Sequence, residues 1–210
     1  MIHRFKNVLG LIAAFFLVQT AIGHNGENHD QGVTLPVTEE SEDSKIPLDV
    51  GGEFELVDHH GTAVSNSSYL GKHMLVFFGY GSCKNMCSIT LTRIGKALSE
   101  LGEFDDVLVP LVITVDPERD TPQAMKESLP NYHPSLVGLT GNESQLAAAY
   151  AGYNQKPKDV GVDWDNEPII SHSSYIYLMD QDGKFATLFP PILNPQSMAS
   201  IIKKYIDRAS

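Results

Sequence analysis

The chain begins with an almost continuously apolar stretch, Val8 to Ala21, behind the basic residues Arg4 and Lys6. A small-x-small triplet, Ala21-Ile22-Gly23, closes it. This pattern predicts a secretory signal peptide over residues 1–23, cleaved before His24. The run is shorter than the roughly 20 residues of a membrane-spanning helix. An uncleaved anchor is the alternative. Either way the remainder lies outside the cytoplasm, where thiols are not held reduced. Residues 24–50 carry no apolar period, and HNGENHDQG and TEESEDSK are polar and acidic. Such a stretch buries too little apolar surface to offset the entropy of ordering, which predicts a flexible linker.

From residue 51 the pattern becomes that of a folded domain. Phe54-Glu55-Leu56-Val57-Asp58 alternates and His59-His60-Gly61 turns, predicting a hairpin. Met74 to Phe78 is unbroken apolar sequence, as expected of a strand covered on both faces. Ile89, Leu91, Ile94, Leu98 and Leu101 fall on helical spacing, and Gly102 ends that helix. Val107 to Val115 is a second buried-strand pattern, interrupted by Pro110. Thr121 and Pro122 supply an N-cap and a first-turn proline for a helix to about Leu129. Leu136 to Leu139 reads as a short strand, and Asn142 with Gln145 opens a helix through Tyr150. Residues 153–171 are expected to be a long polar loop around Trp164. Ser174 to Met179, the turn Asp180-Gln181-Asp182-Gly183, and Lys184 to Phe189 form a hairpin. Asn194-Pro195 caps a last helix through Ile206.

This order predicts an α/β domain over residues 51–210 with a thioredoxin-like fold. It implies a central mixed sheet, helices on both faces and an N-terminal β-hairpin. The formal charge is −11, and −13 once Arg4 and Lys6 leave with the signal. There is no basic stripe, which argues against nucleic acid and against anionic lipid surfaces.

Candidate chemistry sits in GYGSCKNMCS, which holds the only two cysteines, Cys83 and Cys87. A strand delivers both to the start of a helix, where partial positive charge and unbonded N–H groups favour thiolate. Redox thioredoxins separate their cysteines by two residues; here Lys84, Asn85 and Met86 intervene. In regular helix, residues four apart have Cβ atoms roughly 5–6 Å apart. A disulfide needs about 3.8 Å. The spacing therefore tilts toward a metal without excluding a disulfide. A purely structural staple would close so short a loop that it gains only roughly 2 kcal/mol.

Two thiolates select soft ions such as Cu(I) and Zn(II). Structural zinc wants four protein ligands, and no second cysteine pair exists. Among eight histidines, His172 is the best third ligand, because it precedes the strand that enters the late hairpin. In a thioredoxin-like sheet that point faces the cysteine-bearing helix start. His59, His60 and His73 flank strands and are expected to be exposed, and His133 lies in a turn.

The stretches GGEFELVDHHG, LVFFGYGSCKNMCSITL, LVITVDPERDTP, LVGLTG and SHSSYIYLMDQDGKF run in this order to the end of the domain. Together they resemble the Sco/SenC family of copper-binding, thioredoxin-like proteins. The resemblance implies that Cys83, Cys87 and His172 bind copper. It implies a role in assembling the binuclear copper centre of cytochrome c oxidase, with that oxidase's copper-bearing subunit or another periplasmic cuproprotein as partner. It places Asp116, which opens DPERD, near the copper loop and behind the ligands. The alternative function is a periplasmic thiol-disulfide oxidoreductase acting through Cys83 and Cys87 on a partner's cysteine pair. The family usually has proline after the first cysteine and aspartate before the histidine; Lys84 and Ser171 stand there instead.

Overall fold

The computed structural model describes residues 50–81 and 86–209. The expected signal peptide, and the linker up to residue 49, lie outside the described residues, as does Cys83. Among the described residues no helix is long and apolar enough to cross a membrane.

A seven-stranded mixed sheet forms the centre. Strands β1 (Glu55–Asp58) and β2 (Ala63–Ser65) make the N-terminal hairpin. The inner strands β3 (His73–Gly79), β4 (Leu108–Thr114) and β5 (Val137–Thr140) run parallel. Beyond β3 lie β8 (Ile176–Met179) and β9 (Phe185–Phe189), each antiparallel to its neighbour. The order across the sheet is β2-β1-β5-β4-β3-β8-β9. Among the described residues the α-helices are α1 (Met86–Leu101), α2 (Pro122–Ser128), α3 (Glu143–Gly152) and α4 (Pro195–Ala209).

Period-two alternation sorts side chains to two cores. Met74, Val76 and Phe78 point to one face with Leu111 and Ile113, under Leu146, Ala149 and Tyr153 of the α3 region. Leu75, Phe77 and Val112 point to the other, under Leu91 and Ile94 of α1, Met125 of α2, and Met198 and Ile202 of α4. Helices thus cover both faces, as the α/β thioredoxin-like reading requires. Thr121 caps α2 through Ala124 N–H, and Asn142 with Gln145 forms the expected capping box of α3.

Three local expectations are corrected. Residues 153–171 are not a plain loop. They contain a two-stranded antiparallel sheet, β6 (Lys158–Val162) with β7 (Pro168–Ser171). All of β6 is exposed, so no apolar alternation marks it. His73 is 1% exposed, because the strand it opens lies between β4 and β8. Ile89 is 47% exposed. It stands two residues before Leu91, about 200° around the helix from the buried face.

Candidate metal centre

The sheet register decides what meets at one end of the molecule. β3 carries the chain through Gly79 and Tyr80 toward the cysteine stretch. Cys87 is the second residue of α1. Its side chain, like all of Cys83, lies outside the described part. Ile176 of β8 pairs with Phe77 of β3. The segment before β8 therefore runs to the same end, and it holds His172.

The half-buried His172 ring stands edge-on to two aromatic rings. Its centroid is 6.2 Å from that of Tyr80 and 6.3 Å from that of Phe77, at 71° to each plane. Tyr80 lies three residues before Cys83 in the chain. The Nδ1 of His172 is 3.0 Å from the Ser173 carbonyl oxygen. A carbonyl only accepts, so Nδ1 carries the proton and the ring lone pair lies on Nε2. Metal-binding histidines are held in this way.

Beside them lies the turn after β4. Asp116 is 7% exposed; its N–H donates to Thr114 Oγ1 at 2.9 Å and its carboxylate pairs with Arg119. Arg119 also donates to Glu167 at 2.8 Å and to the Pro168 carbonyl at 2.9 Å, tying the turn to the β6–β7 hairpin. Its guanidinium lies 5.3 Å from the centre of the Tyr80 ring, a cation–π contact. Asp116 thus reaches the His172 neighbourhood through Arg119 and Tyr80.

Asp120 was not singled out in the sequence, yet among the described residues it hydrogen-bonds directly to the cysteine stretch. It is 2% exposed, and accepts from Gly81 N–H at 3.1 Å and from Thr114 Oγ1 at 2.9 Å. Burial pushes its carboxyl up to about 6, against the lowering effect of those two donors. Gly81 is hemmed in as well: a Cβ there would come 2.6 Å from Ser128 Oγ. Tyr80, Arg119 and Asp120 were all visible in GYG and DPERD as stretches. What hid them individually is that each acts through a contact distant in sequence.

Among the described residues no three His, Cys, Asp or Glu side chains form a metal-holding group. His59 accepts from Gly138 N–H through Nδ1 at 2.8 Å, a structural bond at the β1–β5 edge. The buried His73 Nδ1 has no hydrogen-bond partner. His133 accepts from Ser135 N–H at 3.2 Å in its turn.

The sequence model of the SCO1/SenC family matches residues 42–207. An SCO2-like protein of Rickettsia conorii is 34% identical over 155 residues, 73% of this chain and 76% of that protein. Protein sco1 of Schizosaccharomyces pombe is 34% identical over 74% of this chain, which spans 60% of that longer protein. Among solved structures, Bradyrhizobium japonicum ScoI with copper bound is 38% identical with a TM-score of 0.68, covering 74% of this chain and 99% of that one. Yeast Sco1 with copper bound is 30% identical with a TM-score of 0.69, covering 76% of this chain and 90% of that one.

Proposed function

This chain belongs to the SCO1/SenC family, and on that premise we propose that it binds copper and serves assembly of the binuclear copper centre of cytochrome c oxidase. Its ligands are Cys83, Cys87 and His172. Copper is the cargo, held by two thiolates and one imidazole, a set that suits Cu(I). The observation that carries the reading is the place of His172. The β3–β8 register brings its ring against Tyr80, where the chain turns toward Cys83. The Ser173 carbonyl takes the Nδ1 proton, which supports Nε2 as the ligating atom. The contacts of Asp116 with Arg119, and of Arg119 with Tyr80, support a role for Asp116 behind the ligands. Relatives solved with copper bound, at 38% and 30% identity, support the choice of metal.

The partner is a copper protein: the oxidase's copper-bearing subunit or another periplasmic cuproprotein. The chain is exported to the periplasm by residues 1–23, which either leave with the signal peptidase or stay as a tether. Residues 24–50 link that segment to the domain.

A thiol-disulfide exchange role on a partner's cysteine pair is the second reading, favoured by a thioredoxin-like sheet with Cys87 in the first turn of a helix. The two share chemistry, since only the reduced pair binds metal. They differ at His172, which exchange does not need. The test is anaerobic Cu(I) titration of the reduced full chain against a competing chelator. One ion per chain is expected, bound more weakly in each of Cys83→Ala, Cys87→Ala and His172→Ala. Wild-type affinity in His172→Ala would remove the histidine from the site and favour thiol exchange.

A further inference from the structure

Between α3 and β8 the chain leaves the main sheet, forms the β6–β7 hairpin, passes through His172 and returns. The start of this excursion is bound to one atom of the strand on which it ends. Gln155, 4% exposed, donates from Nε2 to the Tyr177 hydroxyl at 2.9 Å. The Ser173 side chain interacts with the same hydroxyl. The phenol proton points to the Tyr153 carbonyl at 3.4 Å. The hydroxyl therefore accepts from Gln155 and donates to Tyr153. Its residue is 6% exposed, so water does not readily replace these bonds.

We propose that the Tyr177 hydroxyl is a pin that closes the base of the excursion and thereby holds His172 in position for copper. Tyr177 is a positioning residue, with Gln155 as the group it grips. The proposal rests on His172 being a ligand. Ser173 is the pivot: its side chain interacts with the pin, and its carbonyl takes the proton-bearing nitrogen of His172. Gln155 fixes the other end, where the hairpin begins. The Gln155 Oε1 is buried without a partner, so the amide's single bond to Tyr177 is what secures it. The Tyr177 ring itself is held independently, with centroids 5.3 Å from Tyr153 and 6.4 Å from Phe78. Tyr177→Phe therefore keeps the packing and removes only the pin.

The test uses the full chain and two readouts. Backbone amide exchange across residues 156–173 is expected to quicken in Tyr177→Phe, while β3 and β8 keep wild-type protection. Cu(I) affinity is expected to fall about tenfold, the cost of one well-formed buried hydrogen bond. The same substitution made in a His172→Ala background is expected to change affinity no further. An equal loss in both backgrounds would show that Tyr177 acts on the domain at large, and would overturn the proposal. So would unchanged exchange and unchanged affinity. Should His172→Ala alone bind copper like wild type, the ligand reading fails and the pin's role in copper binding fails with it, whatever the exchange data. Gln155→Met, which keeps bulk and drops the amide, gives the same readouts if Tyr177→Phe does not fold.

Discussion

Asp120 keeps a carboxyl group where water scarcely reaches, and its cost has a sign that can be measured. Its folded-state value of about 6 lies above the ordinary 3.8. The folded protein therefore binds this proton more tightly than the unfolded chain. The stabilising contribution is fully present below about 3.8 and is lost as pH rises through about 6. His59 runs the other way: burial lowers it below 6.5, so its contribution is lost as pH falls. Asp120→Asn isolates the first effect. The stability gap between this variant and wild type, from urea denaturation, is expected to widen in the variant's favour between pH 4 and pH 7 by on the order of 2–3 kcal/mol. A gap that stays flat would mean that the carboxylate is compensated in the folded state. Asp120 was unreadable as an individual residue because its two donors, Gly81 and Thr114, come from separate strand ends. His172 was readable, because its position before the β8 pattern follows from element order alone. The buried His73 was not, since a polar residue at a strand start reads as exposed unless the strand is known to be central.

At the scale of elements, α1 is held close to its neighbours by an absent side chain. A Cβ on Gly95 would stand 2.2 Å from the Tyr132 carbonyl oxygen and 2.9 Å from its carbon. Alanine would raise helix propensity by about 1 kcal/mol. The contact is with backbone, which cannot rotate away, and overpacking of this kind costs about 1–3 kcal/mol. The clash is expected to win, so Gly95→Ala should melt a few degrees lower by calorimetry; a higher melting temperature would show that the helix can shift outward freely. The same physics explains which elements the sequence disclosed. β3 is buried at every position, so its apolar run is continuous. β6 is exposed at every position and exists through its pairing with β7. Backbone pairing and a few polar side-chain ties, such as Arg119 to Glu167, define that hairpin, and apolar patterning does not encode it.

For the molecule as a whole, the parallel inner strands and the antiparallel β8 gather several segments at one end of the sheet. The cysteine stretch leaves β3 there, the Asp116–Asp120 turn leaves β4, and His172 precedes β8. Arg93 of α1 reaches the Pro191 carbonyl at 2.6 Å, bringing the segment after β9 to the same end. Element order and cysteine placement were enough to anticipate this convergence. The cross-ties that stiffen it, Arg119 to Glu167 and Gln155 to Tyr177, were not, because each joins residues far apart in the chain. X-ray absorption at the copper edge tests the central assignment most directly, using the reduced, Cu(I)-loaded full chain. The account predicts sulfur scattering from two thiolates together with one imidazole nitrogen that disappears in His172→Ala. A wild-type spectrum with sulfur ligands alone, unchanged in that variant, would contradict it.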